Sequence, residues 1–215
     1  MKKLLNFTIA AFFGGLVFAP DAVKAQPVSD RAVIPVAITL NQVLRLNITN
    51  GGNIEFVFNQ IGQYTSGINS GGGTAGSSAF YNTIFDIASS TRWTLSMGAE
   101  NATFLGTDDP VNTLSLNNAG FRLFATGAHT TASELTDPVA AFAGVIALPA
   151  FATTVIGAGL VVSNAGTDVE NAFRIEWRAG TTEGTMNAVA LINQVPSPEP
   201  DRYVTNVLLD IQQAP

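Results

Sequence analysis

The chain has 215 residues, 47% of them hydrophobic and only 12% charged, with no cysteine and a formal net charge of −6. That excludes a disulfide framework and leaves enough chain for one domain with a sizeable core. An acidic chain with few, scattered bases has no electrostatic footprint for nucleic acid or an anionic lipid surface.

Residues 1–25 read as a secretory signal peptide. Lys2 and Lys3 form a basic n-region, residues 4–19 an apolar h-region, and Val23-Lys24-Ala25 a small-residue cleavage site. The expectation is export and a mature chain from Gln26. That mature chain holds 7 arginines, no lysine and 15 acids, a formal net of −8. Without lysine there are no internal Lys–Asn isopeptide cross-links, and without cysteine there is no lipoprotein anchor.

Residues 33–52, VIPVAITLNQVLRLNITNGG, alternate as a β-strand does. Ile34, Val36, Ile38 and Leu40 share one face, Gln42 interrupts it, and Leu44, Leu46 and Ile48 resume it. The alternation runs for about fifteen residues, where strands usually run about five or six. It divides into a half-strand in an N-terminal extension, 26–41, and a half-strand opening the domain proper, 42–215. Two arrangements follow. The strand kinks at Asn41-Gln42 and crosses between the two sheets of its own domain, or Ile34, Val36, Ile38 and Leu40 are donated to a neighbouring copy while Leu44, Leu46 and Ile48 stay in the home sandwich.

Period two continues beyond it. Ile54, Phe56 and Phe58 share a face, and the Gly/Ser-rich stretch 65–78 reads as a surface loop. Its GGGTAG formally matches G-x-G-x-x-G, but a strand-like run follows where a helix would have to open, and the expected mature chain has no lysine to reach a phosphate. Thr83, Phe85 and Ile87 alternate next, then Trp93, Leu95 and Met97. In GTDDPVN, Asp108, Asp109 and Asn112 offer oxygen ligands for Ca²⁺, as do Asp168, Glu170 and Asn171 in NAGTDVEN. Neither set has EF-hand spacing, and turn chemistry is the competing explanation. His129, the one histidine, lies in a polar loop with Glu134 nearby; it reads as an exposed loop residue, since no nucleophile motif accompanies it. Zinc has no ligand set here.

Residues 138–162 carry no charge, which meets the length test for a membrane helix. Pro149, three glycines and several β-branched residues favour two strands joined near Leu148-Pro149-Ala150 instead. Further runs align Phe173, Ile175 and Trp177; Met186, Ala188, Ala190 and Ile192; and Tyr203, Thr205, Val207, Leu209 and Ile211. Both tryptophans are in phase with apolar neighbours, which favours core packing over a sugar-stacking surface. Strands broken by Asn50-Gly51-Gly52, Asp109-Pro110, Asn164-Ala165-Gly166 and Pro196-Ser197-Pro198 predict an all-β fold: an antiparallel β-sandwich, immunoglobulin-like or fimbrial-type, forming a single domain after the signal peptide.

The opening VIPVAITLNQVLRLNI, the middle SSTRWTLSM and the closing DRYVTNVLLDIQ resemble secreted bacterial β-sandwich proteins of the fimbrial or pilin-like kind. The resemblance is one of pattern across most of the mature chain. It implies subunits that polymerise when a terminal strand of one completes the sandwich of its neighbour. The cysteine pair of many chaperone–usher subunits and the anchoring cysteine of lipoprotein-type pilins are both missing.

The expected function is therefore a non-enzymatic extracellular or cell-surface structural subunit, building a filament, pilus-like fibre, or surface or biofilm matrix. It self-associates through β-strand pairing, with no nucleic acid partner, no membrane span in the mature chain, and no cofactor unless calcium. The alternative is a monomeric secreted module that binds carbohydrate or a surface ligand through the loops 67–78 and 107–112. The candidates for the paired acids of a glycosidase are Asp108, Asp109, Asp168, Glu170 and Glu176, most of which flank turns.

Overall fold

The structure, a computed structural model, describes residues 34–69 and 81–215. The chain divides into two units, Met1–Thr39 and Leu40–Pro215. The expected signal peptide, residues 26–33 of the expected extension and most of the loop 65–78 lie outside the described residues.

In chain order the second unit runs β1 (Leu44–Asn50), α1 (Ile61–Ser66), β2 (Asn82–Ser89), β3 (Trp93–Ala99), β4 (Thr103–Gly106), β5 (Thr113–Ser115), β6 (Ala119–Ala125), β7 (Leu135–Thr136), β8 (Ile146–Ala147), β9 (Thr153–Ala158), β10 (Ala172–Ala179), β11 (Tyr203–Val204) and β12 (Val207–Gln213). Three antiparallel sheets result, in the orders β1-β2-β10-β6-β8, β12-β3-β9-β7 and β11-β4-β5. The fold is an all-β antiparallel sandwich, with the five- and four-stranded sheets as its layers.

Alternation sets what each layer buries. Phe85 and Ile87 of β2, Phe121 and Leu123 of β6, and Phe173 and Ile175 of β10 point inward from one sheet; Trp93, Leu95 and Met97 of β3 point inward from the other, and all are fully buried. Phe173 joins the layers. Phe85 stacks on it at 5.2 Å, while Trp93 from the opposite sheet meets it edge-on at 5.8 Å. Aromatic pairs of this kind contribute about 1 kcal/mol each beyond their buried area. On the outer face of β10, Arg174 pairs with Glu176 at 2.9 Å and Arg178 with Glu183 at 2.9 Å.

Asn164 replaces a missing strand at the start of β3. Its carboxamide oxygen accepts the Trp93 backbone N–H (3.1 Å), its amide donates to the Trp93 carbonyl (3.0 Å), and its own carbonyl accepts the Trp93 indole N–H (2.9 Å). Both residues are fully buried, so these bonds satisfy groups that water cannot reach.

Residues 138–162 supply two strands in different sheets, β8 and β9, and the chain passes between layers through 148–152. Gly98 permits the crossing: a side chain there would come within 2.5 Å of the Ala150–Phe151 backbone, where the Ala99 N–H donates to the Pro149 carbonyl and the Phe151 N–H to the Ala99 carbonyl. Among the described residues no helix is long and apolar enough to cross a membrane.

Two runs differ from their alternation. Ile54, Phe56 and Phe58 pack against the core, with Phe56 stacked on Tyr81 at 4.4 Å, yet they pair with no strand. Residues 186–192 form turns and a 3₁₀ segment, Leu191–Asn193. There Met186 and Leu191 are buried while Val189 and Ile192 are exposed, because the Met186 N–H turns back onto the Glu183 carbonyl. The short helix α1 has no apolar periodicity to announce it. It is nucleated by Gln63, whose side-chain oxygen accepts the N–H groups of Asn59 (2.8 Å) and Gln60 (3.1 Å).

Candidate functional site

Ile34, Val36, Ile38 and Leu40 are 82, 81, 82 and 89% exposed, and residues 34–43 form no strand. Backbone pairing begins at Val43, whose N–H donates to Ser90 Oγ at 2.8 Å and whose carbonyl accepts the Ser90 N–H at 2.9 Å. Leu44 and Leu46 follow in β1 and pack against the core.

The oxygen-rich loop 107–112 is organised by Asp201. Its Oδ1 accepts the N–H groups of Thr107 (3.1 Å), Asp108 (3.0 Å) and Arg202 (2.7 Å), and its Oδ2 accepts the Asp109 N–H (3.2 Å) and the Asn112 amide (3.0 Å). These donors, the Asp108 N–H foremost and the Asn112 amide next, pull the carboxyl down to about 2. Asp108, Asp109 and Asn112 do come together, but N–H groups converge at the centre. A calcium shell needs converging oxygens. Among the described residues no group of three or more His, Cys, Asp or Glu side chains is placed to hold a metal. The one sequence signal for Asp201 is Pro200-Asp201 ahead of an alternating run, an ordinary turn signature.

Beside this loop a groove of about 690 Å³ opens between β5 and residues 187–199. Val111 and Val195 stand on its rim, 85 and 96% exposed. On its wall the Tyr203 phenol donates to the Glu199 carbonyl at 2.8 Å; burial, then the charges of Asp201 and Glu199, raise its pKa above the usual tyrosine value.

The second oxygen set is dispersed. Asn171 is fully buried and its amide donates to the Asn164 carbonyl at 3.1 Å. Its free oxygen, 2.9 Å from His129 Nδ1, is then the acceptor, so that ring nitrogen carries the proton. Glu170 accepts the Thr167 N–H (2.8 Å) and hydroxyl (3.0 Å), which lower its pKa in that order. Asp168 accepts the Val169 N–H at 2.9 Å. Glu134 accepts the Ser133 hydroxyl and the Thr130 N–H, which hold it below the usual glutamate value. The Ser133 and Thr167 hydroxyls therefore donate to carboxylates, and the arrangement is loop-bracing.

Neither tryptophan offers a sugar platform. Trp93 is fully buried and Trp177 is 7% exposed, with its indole N–H donating to Thr83 Oγ1 at 2.9 Å. No protein-family model matches the chain, and no curated protein matches it in sequence.

Proposed function

We propose that this chain is a non-enzymatic structural subunit, exported through its signal peptide and assembled outside the cell into a filament, pilus-like fibre, or surface or biofilm matrix. Copies join by β-strand pairing, with residues 34–40 of one laid on a sheet edge of the next. One observation carries the reading. Four large aliphatic side chains, Ile34, Val36, Ile38 and Leu40, alternate on a segment that forms no strand, and all are more than four-fifths exposed. Alternating apolar side chains on an unpaired backbone are the two things an unpaired sheet edge can take up. Electron microscopy of the mature protein tests this: long polymers that disappear when residues 26–40 are deleted support it. A strictly monomeric mature protein counts against it.

The groove beside β5 favours a second reading, a monomeric secreted module for carbohydrate or another surface ligand. Its lining is mainly Asn, Ser, Thr, Val and Pro. Glycan-array binding by a monomer would select this reading.

A further inference from the structure

The geometry points to the groove between β5 and residues 187–199 as the acceptor for residues 34–40 of a second copy of this chain. This rests on the strand-donation reading above and adds where the strand goes.

The backbone supplies the first argument. Among the described residues β5 is an edge strand, paired with β4 alone. The Gly106 N–H donates to the Asn112 carbonyl at 2.8 Å, which makes 112 and 114 the residues bonded toward β4. The N–H and C=O of Thr113 therefore point away from β4, and Thr113 is among the residues that line the groove. An added strand pairs with them.

The side chains supply the second. Val111 and Val195 on the rim are 85 and 96% exposed and Val189 is 45% exposed, with Pro196 and Pro198 on the far wall. The incoming IPVAITL carries an aliphatic side chain at every second position, about 7 Å apart along one face of a strand. Pro35 is tolerated, because an added strand is an edge strand and one row of its N–H groups needs no partner.

Charge supplies the third. Residues 34–40 hold no charge, and among the described residues Glu199 is the one charged residue lining the groove. Two mature copies, each with a formal net of −8, would thus meet through nearly uncharged surfaces, with Glu199 the ionised side chain at the contact. Donor and acceptor are different parts of the chain, so the contact is head-to-tail, and it propagates into a filament where the rotation between copies does not close a ring.

Cysteine trapping tests the assignment, since any disulfide in this cysteine-free chain is an engineered one. The full mature chain carrying Val36→Cys and Val195→Cys should give a reducible ladder of dimers, trimers and longer species on mild oxidation. Each single variant should stop at the dimer, and a Val36→Cys with Gln212→Cys pair, at the edge of β12, should give no ladder. Independently, Val195→Asp should leave the circular dichroism and Tm unchanged and reduce polymer mass about tenfold. If filaments form but only the β12 pair ladders, or Val195→Asp polymerises like the parent, the groove assignment is overturned while strand donation stands. If the double variant closes its disulfide within one chain, the groove takes its strand in cis and the inference fails. If the parent forms no filament at all, both fall together.

Discussion

Asn164 and Asp201 each hold distant segments together with one short side chain, and both lend themselves to single substitutions. Replacing Asn164 with Ala leaves the buried N–H and C=O of Trp93 without partners. Each orphaned group costs about 1–3 kcal/mol, so Asn164→Ala should destabilise the fold by about 3 kcal/mol. Urea unfolding followed by tryptophan fluorescence reads this directly. Asp201 makes a pH prediction. Its carboxyl is lowered from 3.8 to about 2, so the stabilisation is fully present above about pH 4 and is lost as pH falls toward 2. Amide exchange at Thr107, Asp108 and Asp109 should therefore quicken below pH 4, and Asp201→Asn should abolish that dependence. A carbon-detected titration placing the Asp201 midpoint near 4 would contradict the hydrogen-bonded arrangement. Neither residue stands out in the sequence, because their partners lie 71 and 93 positions away.

At the level of elements, β10 and the crossing over β3 bear the most weight. Phe173 touches both layers, and Phe173→Ala should cost about 3–5 kcal/mol, visible as a large drop in the thermal midpoint. Gly98→Ala acts differently. It removes nothing, but its methyl group collides with the Ala150–Phe151 backbone, which has no flexible end to give way. The expected result is a lower Tm with faster hydrogen exchange at Ala99 and Phe151, while β10 keeps its protection. Much of this layout was legible as alternation: β2, β3, β10 and β12 fall where Phe85, Leu95, Ile175 and Leu209 announce them. Residues 54–58 and 186–192 show the limit. Alternation says that one face will be buried, whereas a strand also requires an edge free to pair with it.

For the molecule as a whole, charge and exposed apolar surface oppose each other. Copies of this acidic chain, with a formal net of −6, repel, while the proposed contact between them is nearly uncharged. Raising NaCl from about 10 to about 150 mM shortens the screening length from about 30 to about 8 Å. Assembly should therefore begin sooner with salt, seen as a shorter lag in light scattering. A longer lag would mean that pairs of opposite charges join the copies. The loop 107–112 illustrates the same distinction between composition and arrangement. Asp108, Asp109 and Asn112 promised oxygens for a cation, and the fold turned their N–H groups onto a fourth residue.

What this sequence determined by itself was the class of fold and its inward-facing residues, because period-two alternation is local and a strand's two faces follow from the backbone alone. It also set the acidic charge, the lack of cysteine, and the overlong alternation at 34–48. Only the tertiary structure decided that pairing starts at Val43, that Ile34, Val36, Ile38 and Leu40 are left exposed, and that a groove with an unpaired edge opens beside β5. Those facts depend on which edges are already taken, and edge occupancy is a property of contacts between residues far apart in the chain.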